Sequence, residues 1–210
     1  LAVLPGQLGV AVFSPPLDAK GNSVRGIRVC NDLSNDFGLH LFNTPRVVTP
    51  ALKSVQTGAE IRSKRLRPRH ELDLLRLHGH AIRLYQLRGR LIFATLEPVL
   101  RAVLQDAHQG GHAILDLSQV VDLDRAACRL LLELRDELMR RSVKVQFTGA
   151  AERGLLRDYV VSRFDEGGWR QLCPHDLPDD ALEACERELL RTLGPARAGD
   201  STGSLAHQEL

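Results

Sequence analysis

The sequence predicts an α/β protein built in two unequal units. Short apolar runs bounded by Gly and Pro alternate with segments whose apolar residues recur every three to four positions, the periods of strands and helices. A polar, basic stretch containing Pro45, Pro50 and Pro68 separates a short amino-terminal unit from a longer, better patterned one. At 43% hydrophobic and 26% charged residues, the composition is that of a globular chain. No apolar run approaches the roughly 20 residues that span a bilayer, which excludes a membrane protein.

The first unit, residues 1–43, opens with LAVLPGQLGVAVFS, two apolar segments either side of the turn dipeptide Pro5-Gly6. A β-hairpin is expected, with both faces covered because the apolarity is continuous. Leu1 and the extended pattern through Val12 read as the interior of a domain, with no signal peptide. Pro15 and Pro16 stop the strand, Asn22 or Ser23 caps a helix, and Val24, Ile27, Cys30, Leu33 and Phe37 fall on one side of it before Gly38 ends it. A hairpin and one helix bury too small a fraction of their surface to offset ordering entropy, so a packing partner is expected upstream.

Residues 44–79 read as a basic linker, with a short helix from Glu71 to His78. The second unit, 80–193, reads as a mixed sheet flanked by helices. Ile82–Leu87 and Leu91–Phe93 are expected strands joined at Arg88-Gly89-Arg90, and Thr95 caps a helix that tolerates Pro98 in its first turn. Leu96, Val99, Leu100, Val103, Leu104 and Ala107 line one face of that helix, and Gly110-Gly111 ends it. Ala113–Leu117 is the next strand, SQVVDL a loop, and Asp124 the cap of a helix with Ala127, Leu130, Leu131, Leu134 and Leu138 in a stripe. Val143, Val145 and Phe147 alternate with Lys144 and Gln146 as a half-buried strand. Two helices follow, the last from Asp179 to Leu193, and the polar tail 194–210 is expected to be disordered.

A net charge of +2 conceals two opposed regions. Between Asn43 and Arg90, eleven basic side chains face three acids, whereas Asp165 to Glu188 carries eight acids against Arg170 and Arg187. The two regions should attract each other. The basic stretch around Arg62 to Arg69 has no aromatic residue for stacking bases, so contact with the acidic segment is preferred to nucleic-acid binding. Cys30, Cys128, Cys173 and Cys185 are too scattered for a zinc site or a disulfide framework, and a reducing cytoplasm is the expected compartment.

The string VFSPPLDAKGNSVRGIRVCNDLSNDFGLHLFN, Val12 to Asn43, resembles the carboxyl-terminal strand and helix of serine-dependent glutaminases of the penicillin-binding and β-lactamase-like fold. The resemblance implies hydrolysis of L-glutamine to L-glutamate and ammonia, and a truncated β-lactamase-like edge here. That family pairs a nucleophilic serine with a lysine three residues on, and carries a Lys-Ser-Gly element ahead of the matching segment. No serine of this sequence has lysine three residues later, so no catalytic residue is assigned. Ser23, within Gly21-Asn22-Ser23-Val24-Arg25, is read as a helix cap.

From His80 to Tyr159 the order of elements, centred on DLSQVVDLDRAACRLLLEL, resembles a STAS domain. The family's Asp-Ser-Ser-Gly sequence reads here Asp124, Arg125, Ala126, Ala127. Ala126 stands where the antagonist branch is phosphorylated and has no hydroxyl to modify. Asp122, Asp124, Arg125 and Ala126 are the candidate ligand or partner surface, since a helix amino terminus favours anions, though the two aspartates oppose that. Plain capping is the competing reading. Asp116, Asp122 and Asp124 are set aside as a magnesium cluster, and His78 with His80 and Cys173 with His175 as metal ligands, because each group is incomplete. Cofactors and metals are assigned none.

The function expected is therefore that of the carboxyl-terminal portion of a glutaminase with a regulatory STAS module, itself without catalytic residues. A non-enzymatic STAS interaction protein carrying a vestigial glutaminase segment is the alternative. Homo-oligomerisation and a protein or nucleotide ligand at the STAS domain stay open.

Overall fold

The computed structural model describes residues 2–4, 8–36 and 50–194. The Pro5-Gly6 turn, Phe37 and Gly38, residues 39–49 and the tail 195–210 lie outside the described residues. Strands β1 (Ala2–Leu4) and β2 (Leu8–Val10) pair antiparallel with Ala2 opposite Val10, as a hairpin requires. Helix α1 (Val24–Asp36) follows. Ser23 caps it: the Gly26 N–H donates to Ser23 Oγ at 3.0 Å, while that hydroxyl donates to the Ser14 carbonyl at 2.6 Å. The expected covering of this unit is not found among the described residues. Val3 and Phe13 are 67% and 99% exposed, Ile27 and Val29 are exposed too, and Gly26 is the one buried residue of α1.

Within the expected linker 44–79, the part from residue 50 onward is corrected, and residues 44–49 lie outside the described residues. Leu52–Thr57 forms β3, antiparallel to β4 (Ile82–Leu91), and places Leu52 and Val55 on the main core. An edge strand is buried on one side only, so the polar residues of LKSVQT satisfy it without the apolar run that marks a central strand. Helix α2 (Arg69–His78) then buries Leu75 completely.

The four-stranded sheet runs β3-β4-β5-β6, with β5 spanning His112–Leu123 and β6 Lys144–Thr148. The β4, β5 and β6 strands are parallel, so the sheet is mixed, as expected. Two strand readings are corrected. Arg88-Gly89-Arg90 is no turn: Gly89 takes φ +73° inside a continuous β4, where the register with β5 shifts, so the glycine is absorbed as a bulge. Likewise SQVVDL is the second half of β5, with Val120 and Leu123 facing inward.

Helix α3 (Phe93–Asp106) starts two residues before Thr95, which caps it from inside: the Ile92 N–H donates to Thr95 Oγ1 at 3.0 Å. Phe93 is therefore helical rather than part of a strand. Helices α3, α4 (Arg125–Arg140) and α5 (Gly154–Leu172) cover one face of the sheet, where Leu96, Val99, Leu131, Leu138, Leu156 and Val160 join Leu115 and Leu117. Helix α6 (Pro178–Leu193) covers the other through Ala181, Leu182 and Cys185 against Ile82, Leu84 and Ile114. The alternation of β5, with Leu115 and Leu117 on one side and Ile114 on the other, explains how one strand serves both cores.

The attraction expected between the basic and acidic segments is realised on α6. Glu186, with no exposed surface, accepts from Ser63 N at 2.8 Å, Ser63 Oγ at 2.6 Å and Arg67 Nε at 3.1 Å. Arg67 also meets Glu71, Arg65 pairs with Glu183, and the Lys64 N–H donates to Asp179 at 3.1 Å.

Candidate functional site

The four residues singled out from sequence gather at the junction of β5 and α4 but do different work. Asp124 is the cap: its backbone is extended (φ −97°, ψ 174°) and its Oδ1 accepts from the Ala127 N–H at 2.7 Å. Burial pushes the Asp124 carboxyl above its ordinary range, only partly opposed by N–H donors from Ala127 and Ala126. Asp122 lies on exposed β5 backbone and pairs with Arg90 across the parallel strands at 3.2 Å.

Arg125 is exposed, whereas Ala126 is only 5% exposed and packs inward. That position therefore belongs to the core side of α4, and only Asp122, Asp124 and Arg125 remain as surface, beside Val121, which is 76% exposed. The helix end already holds a carboxylate, which answers the dipole and opposes a second anion. What the arrangement offers a partner is one apolar side chain among opposed charges. Asp116 is not part of it. Its side chain is buried, and Oδ1 accepts from Ser118 N at 3.0 Å and faces Thr148 Oγ1 at 3.4 Å. Cys128 sits behind the cap, fully buried, and burial raises its thiol to about 12.

A second concavity was not singled out from sequence. Between α6 and the amino ends of β5 and β6 lies a cleft of about 260 Å³ lined by His112, Lys144, Gln146, Gln171, Cys185 and Glu188, among others. Lys144 and Glu188 form an ion pair at its mouth, and His112 Nε2 lies 3.9 Å from Glu188 Oε2. The His112 side chain is only 8% exposed, and desolvation pulls its pKa below the ordinary value. Alternation in KVQFT placed Lys144 and Gln146 on one face, which reads as solvent-facing. The structure lays α6 over that face instead. Among the described residues no group of three or more His, Cys, Asp or Glu side chains is placed to hold a metal ion, and no helix is long and apolar enough to cross a membrane.

A mixed sheet with helices on both faces, and a capped helix beginning just after its longest strand, define the class as a small α/β module. Residues 75–156 match the STAS domain family, and residues 1–42 match the Glutaminase family. The chain thus joins a glutaminase-family segment to a STAS domain. Glutaminase 2 of Bradyrhizobium diazoefficiens is 33% identical over 194 residues, 92% of this chain and 31% of that protein. Glutaminase 1 of the same organism is 31% identical over all 210 residues, 34% of its own length. The glutaminase of Trichormus variabilis is 62% identical over 47 residues, which are 22% of this chain and 14% of the relative. The chain spans about a third of the length of the two Bradyrhizobium relatives it matches.

Proposed function

We propose that this chain is the carboxyl-terminal portion of a glutaminase that hydrolyses L-glutamine to L-glutamate and ammonia, with its STAS domain as a regulatory or assembly module. The observation that carries the reading is that two proteins named glutaminase align across the glutaminase segment, the connection and the STAS domain together. In this reading the hairpin and α1 are one edge of a larger catalytic domain. The exposed Val3, Phe13, Ile27 and Val29 support it, because side chains of this kind call for an apolar neighbour.

The acyl-transfer chemistry belongs to residues outside this sequence, since a serine activated by lysine one turn away does not occur in it. Asp122, Asp124 and Arg125 are assigned as a contact surface for a protein partner. The four cysteines are unpaired thiols, which favours a reducing, cytoplasmic setting.

The test is ammonia release from L-glutamine by the product of the intact gene, read together with the DNA upstream of the Leu1 codon. An open frame encoding Ser-x-x-Lys and Lys-Ser-Gly with measurable turnover is expected, and no turnover from the 210-residue chain alone. A stop codon directly ahead of Leu1, or a full product without turnover, overturns the reading.

A further inference from the structure

The cleft beneath α6 is a built polar site at the opposite end of the sheet from the amino terminus of α4. Its floor is the buried imidazole of His112, contributed by the first residue of β5. Its wall is α6, held down where Gln146 Nε2 donates to the Ala181 carbonyl at 3.3 Å and to Cys185 Sγ at 2.9 Å. At the mouth, Lys144 and Glu188 offer opposite charges side by side, and the Lys144 side chain is 66% exposed. Gln171, on the last turn of α5, adds an exposed amide that both donates and accepts.

Charge selects the class of ligand. A simple anion entering this cleft meets Glu188, and a simple cation meets Lys144. A molecule with a carboxylate and an ammonium on the same carbon answers both, and an ion pair whose lysine is exposed contributes little that must be given up when its members turn to a ligand. At about 260 Å³ the cleft falls below the roughly 300–1,000 Å³ of pockets for larger ligands, so the occupant is small.

Helix α6 presents different faces to the cleft and to the connection. Ala181, Cys185 and Glu188 face the sheet and cleft, while Asp179, Glu183 and Glu186 grip Lys64, Arg65, Ser63 and Arg67. Residues 61–67 lie in the segment that leads back to the glutaminase part. Any displacement of α6 by a molecule in the cleft therefore acts on that segment through buried hydrogen bonds.

From this geometry we infer that the cleft is an effector site for a small zwitterionic α-amino acid, and that its occupancy is transmitted through α6 to the connection at Ser63 and Arg67. The choice of L-glutamate as probe rests on the glutaminase reading, of which it is the product; the site itself does not. The experiment is an NMR titration of the backbone amides of the 210-residue chain with L-glutamate, with glutarate as the matched dianion lacking an ammonium.

Saturable shifts at His112, Gln146 and Cys185, with a dissociation constant on the order of 1 mM, are expected, accompanied by shifts at Ser63 and Arg67. Glutarate should give no saturable shift. K144M and E188Q, both at the rim, should each weaken L-glutamate by about tenfold or more while core resonances stay in place. Absence of saturation, equal binding of glutarate, or unchanged affinity in both variants overturns the site. Saturation at the cleft with Ser63 and Arg67 unmoved overturns the transmission. Because binding is read without turnover, its failure leaves the glutaminase reading standing, and failure of the turnover assay leaves the titration interpretable.

Discussion

Glu186 and Ser63 lie 123 positions apart in sequence and are joined by two hydrogen bonds, one to the Ser63 N–H at 2.8 Å and one to its hydroxyl at 2.6 Å. Arg67, its side chain only 6% exposed, neutralises the same carboxylate. Removing one member of a buried charged pair strands the other, which costs about 3–5 kcal/mol. Glu186→Ala should lower unfolding free energy by an amount in that range, measured by urea denaturation. A loss below about 1 kcal/mol would show that the clasp contributes little.

Gly149 has φ +62°, and a Cβ placed there would lie 2.4 Å from Ser118 N. Backbone on the neighbouring strand cannot yield as a side chain does. Gly149→Ala should destabilise by at least about 2 kcal/mol. Gly89, at φ +73° with open space around it, tests conformation alone: Gly89→Ala should cost about 1 kcal/mol. Equal losses in thermal or chemical unfolding would contradict the packing argument.

Burial lowers the pKa of His112 below its ordinary 6.5, with Glu188 pulling it up and Lys144 pushing it down. Below pH 6.5 the unfolded chain therefore binds a proton that the folded chain resists. Stability should rise with pH towards 6.5, and this part of it should be lost as pH falls further. His112→Gln should flatten that acid limb in unfolding free energies compared at pH 5.5 and 7.5. An unchanged slope would exclude His112 as its source.

Burial raises the thiols of Cys128, Cys173 and Cys185 to about 12. With a thiolate fraction this small near neutrality, they should react slowly with a disulfide reagent in the native protein, and quickly once it is unfolded. Rapid native labelling of Cys128 by mass spectrometry would show that the core opens.

Periodicity was readable wherever an element's own residues decide its burial. The stripe Ala127, Leu131, Leu134 and Leu138 and the Asp124 cap stand in the structure, and Val145 and Phe147 face the main core as expected, whereas Gln146 on the opposite face lies against α6. Strand β3 was missed because its outer edge has no neighbour among the described strands and its pattern is only half apolar. The kink of α5 at Asp165, with φ 72°, is not anticipated by the reading of this segment as a plain helix. The cleft under α6 had no local signal. Its residues come from β5, β6, α5 and α6, and only tertiary packing brings them together.

Strand β3 has a practical bearing on where the module begins. Ala51 is buried, and its carbonyl accepts from the Arg88 N–H at 2.8 Å, so the folded body starts some way ahead of residue 75, where the family likeness begins. A piece cut at residue 75 would leave Arg83 to Leu87 with unsatisfied ladder groups along a bare flank and would discard the Ser63 and Arg67 partners of Glu186. Such a piece would be prone to self-association through that flank.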